Sequence, residues 1–260
     1  MPVLFLGHGS PMNAIEDNPY RQSWQVLGQK FGGFYPHPQL ILCVSAHWLT
    51  PGWKLTAMDR PKTIHDFSGF PQALFDQQYP APGASLITQE IAARFSRPPI
   101  GLDDHEWGLD HGTWSVLKPM FPDATIPTVQ LSMDYHRPAS EHFALGQQLS
   151  MLRDHGVLIV GSGNVVHNLR AMKRDAAHNE AYDWAIEFDR TIGGQVQTGN
   201  LAALQDFQKM GHVAQLAHPT FEHYLPLLYA AGAASSKDNV SFFNSDFQGA
   251  SISMRSMIWS

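Results

Sequence analysis

The stretch that decides the fold is Val157–Asn168, with the sequence VLIVGSGNVVHN. Its first four residues form a continuous apolar run, which predicts a strand buried on both faces of a sheet. Two glycines follow and let the chain turn sharply, so that His167 lies just beyond the strand end. In open α/β sheets the ligand crevice lies outside the carboxyl ends of the strands, and an imidazole there can exchange a proton near neutral pH. The stretch therefore predicts an α/β sheet with a histidine-containing site at its strand ends.

Two other histidines follow apolar strands in the same way, and a fourth begins a helix. His8 comes after residues 3–6 and His47 after residues 40–44, whereas His223 lies near the start of a predicted helix. Neutral imidazole binds zinc, iron, copper and nickel. Ligands drawn from distant parts of a chain are more typical of catalytic than of structural metal sites. We therefore expect all four histidines to meet at one metal site.

The histidine pattern alone leaves a structural alternative open. A lone histidine after a strand is more often a hydrogen-bonded structural residue, and the chain has no HExxH motif and no cysteine pair. His65 and His111 lie in irregular, aromatic-rich stretches beside an aspartate, so each either fastens its loop or contacts the substrate. Seven further histidines occupy polar or surface contexts, and we expect them to be solvated: His37, His105, His136, His142, His155, His178 and His212.

Strand and helix patterns alternate along the chain, which predicts an α/β fold. We expect a single catalytic domain over residues 1–260, with a central, mostly parallel or mixed β-sheet flanked by helices and a metal site at the strand ends. Further strands are predicted at residues 53–58, 126–131 and 251–258, and the last of these is expected at an edge of the sheet. Helices are predicted at residues 20–31, 86–95, 143–152, 181–192, 201–207 and 220–232. Residues 59–83 and 101–114 are predicted to form irregular loops. The first of these loops would cover the site.

The composition limits the possible functions. Of the 260 residues, 43% are hydrophobic and 15% are charged, as in a compact globule with a large core. The net charge of −6 gives no support for nucleic-acid binding, and no apolar run reaches the length of a membrane span. The chain has one cysteine, Cys43, and its first residues lack the features of a secretory signal. We therefore expect a reducing, cytoplasmic compartment.

Six longer motifs resemble one protein family. They are GHGSPM (residues 7–12), SAHW (45–48), TIHDF (63–67), DHG (110–112), SGNVVHNL (162–169) and EHYLPLL (222–228). In these motifs, and over nearly its whole length, the chain resembles the 4,5-DOPA extradiol dioxygenase family. This family lies within the class III extradiol ring-cleavage dioxygenases, which are related to the protocatechuate 4,5-dioxygenase β subunit. The resemblance implies an α/β fold with a mixed sheet and one mononuclear divalent metal, which is zinc in bacterial members and Fe(II) where the ring is cleaved.

The resemblance also implies a role for each matched histidine of the metal site. His8 and His47 match the two histidine ligands of the family, and His223 matches the third ligand position. His167 matches the acid/base histidine, and its position is close enough to the metal for it to serve as a further ligand. The third ligand is a glutamate in the protocatechuate enzymes, and Glu222 stands beside His223 as a possible substitute.

The reaction implied by the resemblance is the opening of a catechol ring next to the diol with O2. L-DOPA would give a semialdehyde acid that cyclises to betalamic acid or muscaflavin. His167 would act first as base and then as acid. His111 would face the substrate as a catalytic and binding residue, and His65 would be a further substrate-binding residue.

Two other readings of the same residues stay open. An all-histidine ligand set also suits zinc, so a zinc-dependent hydrolase could use the same histidines to activate water. A metal-binding protein without catalytic activity would also show the histidine pattern.

Overall fold

The computed structural model describes all 260 residues, and its strands form one large sheet and two short pairs. The strands are β1 (Val3–Gly7), β2 (Leu40–Thr50), β3 (Trp53–Thr56), β4 (Lys62–Thr63), β5 (Ile100–Asp103), β6 (Gly108–Leu109), β7 (Thr128–Asp134), β8 (Val157–Gly163), β9 (Val240–Phe243), β10 (Phe247–Gln248), β11 (Ile252–Ser253) and β12 (Ser256–Trp259). The large sheet has eight strands in the order β5-β3-β7-β2-β8-β1-β12-β9. The short pairs are β4 with β6 and β10 with β11.

The centre of the large sheet is parallel, and its strand ends are aligned. β1 and β2 flank β8, and both pair with it in parallel. Gly7 pairs with Gly163 and Ser45 pairs with Ser162, so the three carboxyl ends meet at one edge. Antiparallel pairs lie outside this centre, where β12 joins β1 and β3 joins β7. The predicted mixed α/β sheet is therefore confirmed, and every residue of β8 is buried, as its apolar run predicts.

β2 is longer than the sequence predicts. The strand runs on to Thr50, so the prediction that His47 follows a strand end is wrong. The pairing of β2 with β7 shifts between Val44 and Leu49. Such an irregularity changes the direction of the side chains in the bulged segment. His47 therefore enters the site from an irregular part of β2.

Helices cover both faces of the sheet. They are α1 (Pro19–Gln29), α2 (Gln72–Phe75), α3 (Ser85–Ala93), α4 (His111–Met120), α5 (Ala139–Leu149), α6 (Asp183–Gln197), α7 (His212–Ala217) and α8 (Leu225–Ala233), with 3₁₀ helices at Pro11–Ala14, Ser150–His155, Leu169–Ala171 and Leu201–Met210. The helix predicted over residues 201–207 is thus a 3₁₀ helix, and the one predicted from residue 220 begins at Leu225. None of the helices has both the length and the apolar character that crossing a bilayer requires.

Two regions differ from the sequence predictions. Residues 101–114 are not an irregular loop, because they contain most of β5 and the start of α4. Asp110 caps α4, since its Oδ1 accepts a hydrogen bond from the Thr113 backbone N–H at 3.1 Å. The carboxyl-terminal strand is not at an edge, because β12 lies between β1 and β9. The edge strand is β9, whose half-exposed residues show little alternation.

The core has two layers, one on each face of the sheet. Val3 and Phe5 pack on one face in a cluster that includes residues of α5, α6 and α8. Leu4 and Leu6 pack on the other face in a cluster that includes residues of α1 and α4. This alternation along β1 is the two-residue period of a strand.

His142 is buried, so the prediction that it is solvated is wrong. The Trp53 indole N–H donates to the Tyr229 hydroxyl at 2.7 Å, and that hydroxyl donates its own proton to His142 Nδ1 at 2.7 Å. His142 Nε2–H then faces the Arg137 carbonyl oxygen at 3.3 Å. Burial lowers the pKa of His142 to about 4, so the ring stays neutral. This chain of hydrogen bonds satisfies a polar group inside the core.

α1 approaches α4 closely at a glycine. A Cβ atom at Gly28 would lie 1.9 Å from the Met120 carbonyl oxygen, whereas a Cβ atom at Gly194 in α6 would have no neighbour within 4 Å. We expect Gly28→Ala to lower the free energy of unfolding by about 1–3 kcal/mol through overpacking. Gly194→Ala, the matched control, should raise it by about 0.5–1 kcal/mol because alanine favours helix. Urea unfolding of both variants measures the difference, and equal stability of Gly28→Ala and wild type would contradict the packing argument.

Candidate functional site

Five histidines converge at the edge where the strands of the parallel centre end. The ring centroids of His8, His47 and His223 lie 5.0–5.3 Å from one another. His111 lies 3.8 Å from His47, and His167 lies 3.5 Å from His223, again between ring centroids. The four histidines that the sequence analysis expected at one site are therefore brought together, and His111 joins them.

The end of β8 holds two of these histidines by backbone hydrogen bonds. The His8 N–H donates to the Gly163 carbonyl oxygen at 3.0 Å, and the Asn164 N–H donates to the His223 carbonyl oxygen at 2.8 Å. A Cβ atom at Gly163 would lie 2.2 Å from that same His223 oxygen. A glycine is needed here because no side chain would fit between the strand and the turn before α8.

The tautomer of His8 follows from its hydrogen bonds. The Ser162 hydroxyl lies 2.5 Å from the Gly112 carbonyl oxygen, which can only accept, so the hydroxyl donates its one proton there. The Ser162 oxygen then accepts the Nδ1–H of His8 at 3.0 Å. His8 Nε2 therefore carries a lone pair, and it faces His47 Nε2 at 3.3 Å.

This pair of nitrogens fits a metal ion. Two Nε2 ligands with zinc–nitrogen bonds of about 2.0–2.1 Å at a tetrahedral angle lie about 3.3–3.4 Å apart. His47 Nδ1 faces the Asp66 carboxylate at 3.5 Å, which places its proton on Nδ1 and leaves Nε2 free to ligate. Two lone pairs this close repel each other unless a cation lies between them. The donor set of the chain therefore suits a divalent metal at this position.

Asp66 connects two histidines of the cluster. Its Oδ2 lies 3.5 Å from His47 Nδ1. Its Oδ1 lies 2.9 Å from His111 Nδ1 and also accepts a hydrogen bond from the His111 backbone N–H at 2.9 Å. Burial would raise the pKa of Asp66, but His111 and His47 outweigh it and hold that pKa below its usual range. Carboxylates behind ligating histidines fix the ring orientation and the tautomer. The 59–83 segment therefore supplies a carboxylate that positions the site.

His167 and Glu222 add further donors around His223. The His167 and His223 rings stack with an interplanar angle of 5°, and Glu222 Oε1 lies 3.2 Å from His223 Nδ1. Each of His167, Glu222 and His223 offers one ligand atom, and these three atoms lie within 4.8 Å of one another. The same holds for one ligand atom from each of His8, His47 and His111. The donor atoms thus form two neighbouring groups of three.

Burial keeps His8, His47, His167 and His223 neutral. Loss of hydration lowers the pKa of His8, His47 and His223 well below the usual histidine value, and the neighbouring histidines lower it further. The pKa of His167 falls to about 3, first through burial and then through His218 and His111. Neutral imidazole is the form that binds metals, so the environment selects the ligating state.

The cluster lines a cavity of about 690 Å³. The five histidines and Asp66 belong to its wall. The rest of the wall is largely apolar, with Phe67, Phe70, Leu169, Met172, Phe247 and Ile252. A cavity with convergent polar groups in one region and an aromatic and aliphatic wall elsewhere suits a small aromatic ligand.

His65 does not line the cavity. Its Nε2 lies 2.9 Å from the Gln77 carbonyl oxygen, and its ring contacts Phe67, Phe75 and Trp114. The structure therefore places His65 behind the cavity wall, where it joins two parts of the 59–83 segment.

Two further residues lie close to the histidine cluster and were not predicted as site residues from the sequence, namely His218 and Asp66. His218 is buried, and its Nε2–H donates to the Val165 carbonyl oxygen at 2.7 Å, two residues before His167. It follows a short helix and belongs to no motif, so nothing in the sequence marks it. Asp66 is adjacent to His65 in the TIHDF motif, and that motif could have identified it as a partner of another histidine.

The fold and the site together define a class of protein, an α/β enzyme in which a histidine cluster suited to a metal ion lies beside an aromatic-lined cavity. Residues 2–254 match the model of a family described as the catalytic LigB subunit of aromatic ring-opening dioxygenase. The chain belongs to this LigB family, and the predicted enzyme class, a ring-cleavage dioxygenase, is confirmed.

Similar proteins cover nearly the whole chain. A protein of Escherichia coli K12 named 4,5-DOPA dioxygenase extradiol is 47% identical over 99% of this chain and 94% of its own length. A protein of Beta vulgaris with the same name is 34% identical over 95% of this chain and 92% of its own length. The crystal structure of an uncharacterised protein of Escherichia coli K12 has a TM-score of 0.85 and 40% identity, with complete coverage of both chains. The resemblance seen in the sequence motifs is therefore confirmed.

Ser162 tests the support of His8. Ser162→Ala removes the oxygen that accepts the His8 Nδ1–H, so we expect the affinity for Zn²⁺ to fall about 10–100-fold, as for other partners of metal-bound histidines. Ser115→Ala is the matched control, because Ser115 is a buried serine whose hydroxyl has no hydrogen-bond partner. Competition titration with a chromophoric chelator measures both affinities. Equal affinity in wild type and Ser162→Ala would show that Ser162 does not orient His8.

Proposed function

We propose that the protein is an extradiol dioxygenase that opens the ring of a catechol such as L-DOPA next to the diol, with incorporation of O2. The product would be a semialdehyde acid that cyclises to a compound of the betalamic acid or muscaflavin type. The observation that carries this proposal is the position of His167, which lines the aromatic cavity while its ring stacks on the candidate ligand His223. The names of the relatives support DOPA as the type of substrate.

The proposed ligands are His8, His47 and His223, with His167 and Glu222 as neighbours that can approach the same ion. Three neutral imidazoles leave coordination positions open for substrate, and they suit both Fe(II) and Zn²⁺. We propose Fe(II) for turnover and zinc as an ion that the same site also binds. When bound, Fe(II) would relay electrons from the catechol to O2 and would end the reaction again as Fe(II). The chain's own residues bind and orient the substrate and move its protons.

His167 is the proposed acid/base residue. It is held from behind, because its backbone N–H donates to the Ala217 carbonyl oxygen at 2.9 Å and its ring rests on His223. From this position it would take a proton from a catechol hydroxyl and return one during ring opening. His111 is the proposed second residue that faces the substrate, and Asp66 fixes its orientation.

The 59–83 segment forms part of the cavity wall. Phe67 and Phe70 line the cavity, and the Phe67 ring lies 5.5 Å from the His111 ring between centroids. We propose that these rings exclude water from the bound catechol. For His65 we propose loop fastening through the Gln77 carbonyl oxygen, in place of the contact with the substrate that the resemblance implies.

Two wider proposals accompany the activity. Residues 1–260 act as one catalytic domain, and the pairing of β1 with β12, from opposite ends of the chain, supports this. The protein works in a reducing, cytoplasmic compartment, which the single buried cysteine, Cys43, supports.

Oxygen uptake tests the proposed reaction. Protein reconstituted anaerobically with Fe(II) should consume O2 when mixed with L-DOPA or simpler catechols and form a yellow product. The zinc-loaded protein is the matched control and should consume none. A lack of uptake with every catechol, from protein shown to hold one Fe(II) per chain, would contradict the proposal. It would favour the zinc-dependent hydrolase, which ester and amide substrates would then test.

His167→Gln separates the acid/base role from metal binding. We expect the metal content per chain to stay unchanged and the turnover of L-DOPA to fall about 10²–10⁴-fold, the usual contribution of a general acid or base. The exposed His155 serves as the control through His155→Gln, which should change neither quantity. Metal analysis and oxygen uptake on the same samples give both readouts. Loss of the metal from His167→Gln would instead identify His167 as a ligand.

A further inference from the structure

A second cavity lies against α6, apart from the histidine cluster. Its volume is about 540 Å³, and none of the five clustered histidines lines it. Phe247 is the one residue that belongs to the walls of both cavities. We call it the Arg255 cavity, and its polar wall residues are Asn179, Asp189, Arg190, Gln197, Ser245 and Arg255. The proposed reaction gives this cavity no role.

One edge of the Arg255 guanidinium is fixed by a buried carboxylate. Arg255 Nε lies 3.0 Å from both carboxylate oxygens of Asp189, and Arg255 Nη2 donates to Asp189 Oδ2 at 2.5 Å. Asp189 is 3% exposed, and its Oδ1 also accepts the Ser253 hydroxyl proton at 2.6 Å. Both oxygens of Asp189 are therefore occupied, and the guanidinium has a defined orientation.

The remaining edge of the guanidinium, at Nη1, has no close partner. The group packs against the backbone of α6 and against an aromatic ring, since a Cβ atom at Gly193 would lie 3.4 Å from Arg255 Cζ and the Phe242 ring centroid lies 5.2 Å from it. Arg255 Nη1 approaches only the Ser245 hydroxyl, at 3.5 Å, which is too long for a good hydrogen bond. Nη1 can therefore donate to a ligand in the cavity.

The other unpaired polar groups of the wall also offer N–H donors. Arg190 is exposed and takes part in no salt bridge. Asn179 uses only its Oδ1, which accepts the Phe247 backbone N–H at 3.1 Å, so its Nδ2 is free. Because Asp189 is the only carboxylate in the wall and is already paired, the two arginines leave a positive charge that favours an anion.

The rest of the wall is apolar and has room for a ligand. Ala181, Ile186, Phe242 and Phe247 line the cavity, and Ile186 is exposed although its side chain is hydrophobic. A Cβ atom at Gly194, which also belongs to the wall, would have no neighbour within 4 Å. The forked donors of a guanidinium match the two oxygens of a carboxylate. A carboxylate on an apolar body would use both parts of the wall.

We propose that the Arg255 cavity binds a small organic carboxylate. Its oxygens accept hydrogen bonds from Arg255 Nη1 and from the Arg190 guanidinium, and its apolar body contacts Phe242 and Phe247. This second site is independent of the proposed dioxygenase activity, because it shares no polar residue with the histidine cluster.

Isothermal titration of the zinc-loaded protein with benzoate tests the site. Benzoate should bind more tightly than benzamide, its neutral analogue, and more tightly than inorganic phosphate, which has no apolar body. We expect Arg190→Gln to weaken benzoate binding about three- to tenfold, more at low salt than at high salt, and to leave benzamide binding unchanged. Arg94→Gln is the matched control, because Arg94 is also an exposed arginine without a salt bridge and lies outside the cavity at the end of α3.

Gly194→Leu blocks the same cavity without removing a charge. The leucine side chain would extend into the open space beside Gly194, so benzoate binding should fall at least tenfold. The variant should not be less stable than wild type, because leucine favours helix over glycine. Urea unfolding checks this, so that lost binding is not mistaken for lost folding.

Four results would overturn the inference. They are the absence of saturable benzoate binding, equal binding of benzoate and benzamide, tighter binding of phosphate than of benzoate, and benzoate binding that neither Arg190→Gln nor Gly194→Leu weakens. The last result would place benzoate elsewhere, for example on the zinc ion. Oxygen uptake with Fe(II) and catechols decides the proposed function separately.

Discussion

The hydrogen bonds at the end of β8 are the constraint on which the site depends. The Gly163 carbonyl oxygen accepts the His8 N–H, and the adjacent Asn164 N–H donates to the His223 carbonyl oxygen. Two candidate ligands that are 215 residues apart in the sequence are thus fixed to one peptide unit at the end of a fully buried strand. The parallel register with β2 brings the third ligand, His47, to the same edge. A rigid strand end is therefore the common reference for the whole cluster, as precise ligand geometry requires.

Burying five histidines in one place is costly unless each ring has a defined partner. An unpaired buried polar group costs about 1–3 kcal/mol, and four of the five rings have an oxygen atom beside Nδ1. Ser162 accepts the Nδ1–H of His8. The Asp66 carboxylate lies beside the Nδ1 atoms of His47 and His111, and Glu222 lies beside His223 Nδ1. Each of these contacts involves an Nδ1 atom. The Nε2 lone pairs of His8 and His47 are left facing each other, which is an unfavourable arrangement that a bound cation makes favourable.

The sequence predicted the meeting of four histidines better than it predicted their surroundings. Because the carboxyl ends of parallel strands share an edge, apolar runs followed by His8 and His167 were sufficient to bring those residues together. The contact of Asp66 with His111 spans 45 residues without any periodic signal, so only the folded chain shows it. The burial of His142 was accessible in principle, since with Leu145 and Leu149 it forms one helical face at spacings of three and four. That pattern was overlooked because histidine is usually found at surfaces.

The two regions of the cavity depend on different parts of the chain. The metal region is built from strand ends and motifs that the LigB resemblance carries, so its chemistry follows from family membership. The region of the wall around Tyr20 is built from the first turn of α1 and from the segment that carries Gln248, outside those motifs. This region is separate from the backbone hydrogen bonds that hold His8 and His223 at the end of β8. The wall around Tyr20 can therefore vary in sequence while the geometry of the candidate ligands stays the same.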